Sequence, residues 1–504
     1  MENKKVRRES PIEMGADEFR SLGHDLVDRI AAFLESLPQR PVTSYKSPNR
    51  LQQQLGNGHI PQQGTDPARI LEEATELLFE NSLFNGHPRF WGYITSSAAP
   101  IGALGDLLAA AINPNVGAWD LSPIATEIES QTIRWIAQLI GYPADCGGVL
   151  TSGGNVANFV GFLAGRADKA GWDIRVDGLH GGQSRQLRVY VSAETHTWIQ
   201  KAADLFGLGT GSIRWIPVDT ARRMDLSLLR TQIEMDRQAG DQPFMVVGTA
   251  GSVSIGVVDD LPAIASLCRE YGLWFHVDGA YGGFAASQFH GNSDGIVPSE
   301  LKGLSEADSV AVDPHKWLYA PLEAGCTLVR DPDKLRAAFE YHPAYYLFGE
   351  LAINYLDYGL QNSRGFRALK VWLAMRQVGQ QGYVQMIGDD IRLSQALYRL
   401  VQEQPELEAF TQNLSITTFR FVPADLKSRD EKHVEYLNRL NTELVTRLQR
   451  GGEVFVSNAV LDGKFLLRAC IVNFRTAKAD LEALVDIVLR VGYEVDAALR
   501  SGNL

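Results

Sequence analysis

The segment SVAVDPHKWL, residues 309–318, combines an apolar run with a lysine that follows it. Its first four residues, 309–312, are small or β-branched and form the short apolar run of a fully buried strand. Lys316 lies between His315 and Trp317, shortly after this run. Most lysines are exposed to solvent, but a lysine in this position is not expected to reach it. Imine formation with an aldehyde requires a partly desolvated amine, so Lys316 is predicted to be a reactive lysine at a strand end.

A second apolar run ends in an acid. LWFHV, residues 273–277, is followed directly by Asp278. A carboxylate at this position either caps the next turn or faces a pyridine nitrogen and keeps that nitrogen protonated. A protonated pyridine ring is the electron sink of pyridoxal 5′-phosphate (PLP) chemistry, so Asp278 together with Lys316 predicts PLP as the cofactor.

Two further segments fit a phosphorylated, flat cofactor. LTSGGNVANF, residues 150–159, has paired glycines before a helical pattern, so that backbone amides and a helix N-terminus can bind a phosphate. A paired-glycine turn before a helix is common, so this segment alone is a weak indication of a phosphate site. Lys316 and Asp278 strengthen the indication, because they predict a phosphorylated cofactor. His196 follows the apolar run at 187–192, and its ring either stacks on the cofactor or is structural.

The middle of the chain alternates helical patterns with short apolar or β-branched runs. This alternation predicts an α/β fold with a mainly parallel sheet covered on both faces and with active residues at the strand ends. The predicted strands there are 187–192, 244–248, 273–277, 309–312 and 326–330.

The two ends of the chain have other patterns. Apolar residues at helical spacing predict an amphipathic helix over 17–37, and the Pro-, Gln- and Gly-rich stretch 41–66 is expected to be an extended linker. Strands at 416–423, 453–457 and 465–474 and a helix from about 479 predict a small α+β domain. The expected division is 1–89 (N-terminal helical segment packing on a partner subunit), 90–377 (large PLP-binding domain) and 378–504 (small C-terminal domain).

Composition restricts the classes of partner. The 504 residues carry a formal net charge of -12, which disfavours nucleic acid and anionic membrane surfaces as partners. Hydrophobic residues make up 45% of the chain, but the basic start is not followed by an apolar run, so a signal peptide or membrane anchor is not expected and a cytoplasmic location is. The 4 cysteines lack the spacing of a zinc site, and no metal is predicted.

Several motifs occur together in a fixed order. Along the chain these are HPRFWGY, SPIATEIE, HVDGAYGG, DPHKWL and RGFRALKVW. With them the chain resembles, over nearly its whole length, the group II PLP-dependent decarboxylases, the family of aromatic-L-amino-acid, glutamate, histidine and tyrosine decarboxylases. The resemblance implies a PLP-dependent transferase of fold type I with a seven-stranded, mainly parallel sheet. It also implies decarboxylation of an L-amino acid to an amine and a homodimer with the active site at the interface.

The resemblance assigns cofactor roles to particular residues. It implies that Lys316 binds PLP as a Schiff base, that Asp278 pairs with the pyridinium nitrogen and that His196 stacks on the ring. The remaining cofactor contacts that it implies are Ala280 against the ring, His315 near the phosphate, and Gly154 and Asn155 at the phosphate.

Substrate and loop residues follow from the same resemblance. Tyr93 and Ser96 match positions that line the substrate pocket, with Ser96 near the substrate carboxylate. Tyr345 matches the tyrosine that returns a proton to the substrate carbon after carbon dioxide leaves, where relatives with Phe are oxidative aldehyde synthases. Arg364 and Arg367 are expected to anchor a loop or an interface, since arginine is a poor general acid.

The substrate and some alternatives stay open. Aromatic amino acids are favoured, but Asn115 and Gly117 stand where aromatic enzymes carry bulkier apolar groups, so acidic and diamino acids remain possible. Val253 replaces a hydroxyl residue near the cofactor. An aldehyde synthase is an alternative, an aminotransferase would need another arginine for its second substrate, and a non-catalytic homologue would be expected to lose Lys316 or Asp278.

Overall fold

The computed structural model describes residues 10–56, 58–183, 185–291, 295–341, 352–426 and 431–502. Within these ranges the α-helices are α1 (Ala16–Ser36), α2 (Pro48–Leu55), α3 (Pro67–Asn81), α4 (Pro100–Ile112), α5 (Pro123–Leu139), α6 (Gly154–Lys169), α7 (Ile174–Asp177), α8 (Trp198–Leu205), α9 (Leu226–Gln238), α10 (Leu261–Tyr271), α11 (Pro332–Phe339), α12 (Ala368–Gln402), α13 (Glu431–Gly451) and α14 (Lys478–Arg500). The strands are β1 (Phe90–Trp91), β2 (Gly147–Thr151), β3 (Leu187–Ser192), β4 (Ile213–Ile216), β5 (Gln242–Thr249), β6 (Trp274–Asp278), β7 (Ser309–Val312), β8 (Gly325–Val329), β9 (Leu407–Asn413), β10 (Ile416–Phe421), β11 (Phe455–Leu461) and β12 (Lys464–Cys470). Short 3-10 helices lie at Leu37–Gln39, Trp119–Leu121, Gly178–Gly182, Thr210–Ser212, Gly282–His290, Ser299–Glu306, Tyr355–Asp357 and Ala424–Leu426.

The larger sheet has seven strands in the order β2-β8-β7-β6-β5-β3-β4. Strands β7, β6, β5, β3 and β4 pair in parallel, whereas β8 is antiparallel to both β7 and β2. This confirms the predicted α/β class with a seven-stranded, mainly parallel sheet. Its strands are apolar nearly throughout because helices cover them: every residue of β6 and β7 is buried.

The second sheet has the order β1-β11-β12-β10-β9 and packs against α13, α14 and the end of α12. Its edge strand β1 precedes the large sheet in the chain, yet Phe90 pairs in parallel with Phe455 of β11. The proposed boundary at residue 90 therefore falls on a strand of the second sheet. The proposed boundary after residue 377 falls within α12, close to Gly379, where φ is 67° and ψ is 170° and the helix is interrupted.

The N-terminal segment contains more structure than predicted. Helix α1 confirms the amphipathic helix, and none of its residues is buried. The expectation of an extended linker over 41–66 is wrong for residues 48–55, which form α2. Pro48 begins that helix, and the Ser47 hydroxyl accepts a hydrogen bond from the Arg50 backbone N–H. Among the described residues, no helix is long and apolar enough to span a bilayer.

Candidate active site

A cavity of about 380 Å³ lies where the parallel strands of the large sheet end. Its walls come from the loops that follow β2, β3, β5, β6 and β7, which is where open α/β sheets bind ligands. Each residue that the resemblance assigns to the cofactor lines this cavity: Gly154, Asn155, His196, Asp278, Ala280, His315 and Lys316.

The Lys316 amine is held by a buried carboxylate. Its Nζ lies 2.8 Å from Oδ2 of Asp313, the residue at the start of the same turn after β7. The Lys316 side chain is 18% exposed and that of Asp313 is 2% exposed. The Lys316 backbone N–H also donates to the Asp313 carbonyl oxygen. The amine is therefore mostly buried and ion-paired, yet it borders the cavity.

Asp278, the last residue of β6, is a buried carboxylate with a fixed orientation. The Trp198 indole N–H donates to Oδ2 at 2.8 Å, and the Ala280 backbone N–H donates to Oδ1 at 3.1 Å. Trp198 is fully buried. Because Asp278 and Lys316 follow neighbouring parallel strands, the sheet brings a carboxylate and an amine to one cavity.

Two histidines of the cavity wall have lowered pKa values. Burial lowers the pKa of His196, while the nearby Asp278 carboxylate opposes that change. Burial also lowers the pKa of His315, opposed by Asp313, whose Oδ2 lies 3.7 Å from the ring. The Trp198 backbone N–H donates to Nδ1 of His196 at 3.2 Å. Burial therefore favours the neutral form of both rings, and a neutral imidazole can lie flat against an aromatic ring.

A glycine loop forms the cavity wall before α6. Gly153 has φ 113° and ψ 177°, a conformation that glycine adopts readily and other residues rarely do. A Cβ atom on Gly325 of β8 would lie 2.6 Å from the Gly153 Cα, so the two backbones are in close contact. The Asn158 side chain donates to the Gly154 carbonyl at 2.9 Å. This loop places the N-terminus of α6 at the cavity, where backbone N–H groups bind a phosphate.

These residues fit PLP. The cavity holds an amine for its aldehyde, a fixed carboxylate for its ring nitrogen and a helix N-terminus for its phosphate. In addition, Oγ1 of Thr249 and Oδ1 of Asp313 are buried at the cavity and have no hydrogen-bond partner among the described residues. Buried polar atoms are usually paired, so these two oxygens are consistent with a polar ligand.

Comparison with known proteins identifies the family. The model of the pyridoxal-dependent decarboxylase conserved domain matches residues 48–422, most of the chain. This chain belongs to the pyridoxal-dependent decarboxylase family. The decarboxylase is 31% identical to an aromatic-L-amino-acid decarboxylase of Bacillus atrophaeus over 95% of this chain and 96% of that protein. It is 28% identical to a phenylacetaldehyde synthase of Arabidopsis thaliana over 91% and 92% of the two chains.

Solved structures agree with this family. The decarboxylase superposes on Oryza sativa TDC with PLP and tryptamine with a TM-score of 0.87 and 27% identity, covering 97% of this chain and 99% of that one. It superposes on mouse CSAD with a TM-score of 0.88 and 26% identity, covering 95% and 99%. The chain is therefore a PLP-dependent decarboxylase, and its substrate is an amino acid.

The residues assigned to substrate lie beside the cofactor cavity rather than in its wall. The Ser96 hydroxyl donates to the His315 carbonyl oxygen at 2.8 Å, next to Lys316. Tyr93 is 57% exposed, and its carbonyl accepts a hydrogen bond from Arg468 at 3.1 Å. Tyr345 lies outside the described residues.

Neighbouring groups explain two departures from the aromatic enzymes. A Cβ atom on Gly117 would lie 2.2 Å from the Asn362 carbonyl oxygen, so this backbone does not admit a larger residue there. The side-chain oxygen of Asn115 accepts the backbone N–H of Arg364 at 3.0 Å. Both residues thus have a packing reason in this chain.

Sequence reasoning missed three polar partners of the site. Asp313 belongs to the lysine motif and stands three residues before Lys316, so its spacing was a usable signal. Trp198 follows His196 by two residues, but its contact with Asp278 comes from a different strand and carries no local signal. Asn158 lies one helical turn after Gly154, and only the fold shows that it holds the loop.

Proposed function

We propose that this decarboxylase converts an aromatic L-amino acid to its amine and carbon dioxide, with Lys316 holding PLP covalently and Asp278 facing the pyridine nitrogen. The observation that carries the assignment of residues is the convergence of Lys316 and Asp278 on one cavity, each fixed by its own buried partner. The aromatic substrate is supported by the names of the relatives, several of which act on tryptophan or tyrosine.

When bound, PLP supplies an aldehyde for the substrate amine and a pyridine ring that accepts the electrons of the breaking bond to the carboxylate. The residues of the protein would then orient the cofactor and cover it. Asp278 would keep a proton on the ring nitrogen, and its two N–H donors would stop it from turning away. Asp313 would hold the Lys316 amine at the cavity wall. His196, as a neutral ring, would cover one face of the cofactor.

Phosphate binding is proposed for the start of α6. The backbone N–H groups at Gly154 and Asn155 would donate to the phosphate, and His315 would lie beside it. The positive end of the helix dipole favours an anion at this place. Ala280 would lie against the cofactor ring, where its small side chain leaves room for a flat group.

The remaining proposed roles concern the substrate. Ser96 would lie near the substrate carboxylate, because its hydroxyl is already fixed beside Lys316. Tyr93 would line the substrate pocket. Tyr345 would return a proton to the substrate carbon.

The test combines trapping with product analysis. Borohydride reduction of the purified holoenzyme followed by peptide mass spectrometry is expected to place the pyridoxyl group on Lys316. Amine and carbon dioxide are expected from tryptophan, tyrosine, phenylalanine, dopa or 5-hydroxytryptophan, and not from glutamate or diaminobutyrate. Lys316→Ala should abolish both results, whereas Lys302→Ala, an exposed lysine, should leave them unchanged. A pyridoxyl group on another lysine would overturn the assignment of Lys316, and amine only from glutamate or diaminobutyrate would overturn the substrate class.

An oxidative reaction is the second candidate, favoured by the phenylacetaldehyde synthases among the relatives. That reaction consumes dioxygen and water and releases aldehyde, ammonia, carbon dioxide and hydrogen peroxide instead of the amine. Tyr345→Phe is expected to lower amine production and to raise aldehyde and peroxide. Aldehyde as the main product of the unchanged enzyme would favour the synthase, and unchanged amine output by the variant would remove the proposed role of Tyr345.

We also propose that the enzyme is a cytoplasmic homodimer with its active site at the interface. Helix α1 buries none of its residues, and α4 exposes Leu104, Leu107 and Ile112 by 53%, 54% and 63%. A second copy would cover such a large apolar surface. Light scattering at micromolar concentration is expected to give twice the chain mass, and a monomeric mass would contradict the dimer.

A further inference from the structure

Helix α12 holds each of the three residues that follow Lys316. The Trp317 indole N–H donates to Oδ2 of Asp390 at 3.0 Å, and the Tyr319 hydroxyl donates to the same oxygen at 2.7 Å. Between them, the Leu318 carbonyl accepts the hydroxyl of Tyr383 at 3.2 Å. The turn that carries the reactive lysine is therefore fixed by side chains of a helix that continues into the second sheet's domain.

Asp390 is the centre of this arrangement. It is 2% exposed and forms no salt bridge among the described residues. A third donor, the backbone N–H of Asn473 after β12, also reaches its carboxylate. Burial raises the pKa of Asp390 to about 7 despite these donors. The titratable groups that act on it are Tyr319, Cys470 and, on its own helix, Asp389.

The lysine turn has a conformation that needs such support. Tyr319 has φ 54°, in the left-handed region that non-glycine residues avoid. Its backbone N–H donates to the Lys316 carbonyl at 3.1 Å, and its own carbonyl accepts the Ala99 N–H at 2.8 Å. The Tyr319 hydroxyl bond to Asp390 fixes the side chain above this strained residue. Loss of that bond would let the turn relax and move the Lys316 backbone.

The Trp317 ring connects Asp390 with the loop that follows Asp278. Trp317 stacks on Tyr281, with ring centroids 4.9 Å apart and an interplanar angle of 27°. Tyr281 follows Asp278 by three residues, and its hydroxyl lies 2.8 Å from the Ser415 hydroxyl of β9–β10. A shift of Trp317 would therefore displace both loops that carry the proposed cofactor groups.

From these contacts we infer that Asp390 is a positioning residue for decarboxylation, which sets the place of the Lys316 amine by holding Trp317 and Tyr319. The inference rests on the proposed function, because it requires that Lys316 hold PLP. Asp390 does not line the cavity and acts only through the lysine turn. Nothing in its own sequence surroundings indicates this role.

The test compares holoenzyme variants that differ in one acceptor or one donor. Asp390→Asn keeps the volume but turns one acceptor oxygen into a donor, which then faces an N–H or O–H group. Tyr319→Phe removes one donor and carries the test if the Asp390 variant does not accumulate. Asp389→Asn is the matched control, because Asp389 lies on the same helix but is exposed and paired with Arg392. Asn441→Ala in α13 removes buried hydrogen bonds far from the lysine turn and controls for lost stability.

Four quantities are measured for each variant: kcat and KM for the best aromatic substrate, the pH midpoint of the visible absorbance change, and the thermal midpoint. Asp390→Asn is expected to lower kcat about tenfold with KM changed less than about threefold, because misplaced reacting groups slow the chemical step more than binding. It should also shift the pH midpoint of the absorbance change, which reports on the group at Lys316. Tyr319→Phe should show both effects to a smaller extent, and Asp389→Asn neither.

Two outcomes would overturn the inference. One is an Asp390→Asn enzyme with an unchanged absorbance titration and unchanged kcat. The other is a loss of kcat that matches that of Asn441→Ala at equal loss of thermal midpoint, again with an unchanged titration. Failure of the proposed function is distinguishable, because the unchanged enzyme would then give no pyridoxyl group on Lys316 after borohydride reduction.

Discussion

The Arg364 guanidinium donates to both carboxylate oxygens of Glu129, at 2.5 and 3.2 Å, in the interior of the large domain. The two side chains are 2% and 0% exposed. Arg364 also donates to the Leu150 carbonyl, while Glu129 accepts the Leu150 backbone N–H. The ion pair therefore fixes the end of β2, directly before the glycine loop.

Removing one partner of this pair should strongly destabilise the protein. Arg364→Met leaves the Glu129 carboxylate buried without its cation, and the expected loss is about 3–5 kcal/mol of unfolding free energy. The control is Arg500→Met, which breaks an exposed pair with Asp425 and should cost less than about 1 kcal/mol. Urea unfolding followed by circular dichroism measures both. Equal losses in the two variants would show that the buried pair has no special weight.

The contact between Trp198 and Asp278 predicts a change in cofactor affinity. Trp198→Phe keeps an aromatic ring but removes the N–H that donates to Oδ2 of Asp278. A hydrogen bond to a charged group contributes about 1.5–3 kcal/mol, so the Kd of PLP should rise at least about tenfold. Titration of the apoenzyme with PLP, followed by fluorescence quenching, gives this constant. Trp215→Phe, on an exposed part of β4, is the control, and an equal effect there would refute the prediction.

The close contact of Gly325 with Gly153 predicts a steric effect on the phosphate loop. Gly325→Ala places a methyl group 2.6 Å from Gly153 backbone atoms, so the loop has to move. We expect weaker binding of PLP, by about tenfold or more, since the N–H groups at α6 lose their alignment. Gly211→Ala meets no atom within 4 Å and should bind PLP normally. Unchanged PLP affinity in Gly325→Ala would mean that the loop does not contact the phosphate.

His276 predicts how stability depends on pH. This histidine is fully buried in β6, hydrogen-bonded to Ser309 and Asn158, and burial lowers its pKa to about 4. An unfolded histidine has a pKa near 6.5, so the folded protein loses stability as the pH falls from about 6.5 to 4, by up to roughly 3 kcal/mol. Above about pH 6.5 the histidine is neutral in both the folded and the unfolded protein, so this loss of stability is absent there.

The measurement is urea unfolding at pH 7.5, 6 and 5. His276→Gln can keep hydrogen bonds to its neighbours but cannot take up a proton, so its stability should change less with pH than that of the unchanged protein. His290→Gln alters an exposed histidine and should leave the pH dependence as it was. A His276→Gln protein with the full loss at pH 5 would assign the acid sensitivity to other groups.

The sequence predicted the place of site residues that stand at or just after the end of a strand. Lys316 and Asp278 could be placed in one site from the chain alone, because parallel strands end at the same edge of a sheet. Residues whose partners come from distant parts of the chain could not. Asp390 meets Trp317 and Tyr319 only after α12 has packed on the lysine turn, and no local pattern reports such a contact.

Secondary structure was missed for physical reasons of the same kind. β2 contains two glycines, and β9 is rich in polar residues, so neither has the apolar run of a strand. Their partners β8 and β10 supply the ladder that stabilises them. β1 is two residues long and exists only because β11 lies beside it.

The pairing of Phe90 with Phe455 has a consequence for biosynthesis. The ribosome synthesises β1 early and β11 near the end of the chain. The edge strand of the second sheet therefore has no partner strand during most of translation. Domains usually fold in the order of synthesis, but this sheet is complete only after both β1 and β11 have been synthesised. A C-terminal fragment starting at 378 would leave the β11 edge bare, and a bare edge pairs readily with other chains. Such a fragment should aggregate unless residues 90–91 are supplied with it.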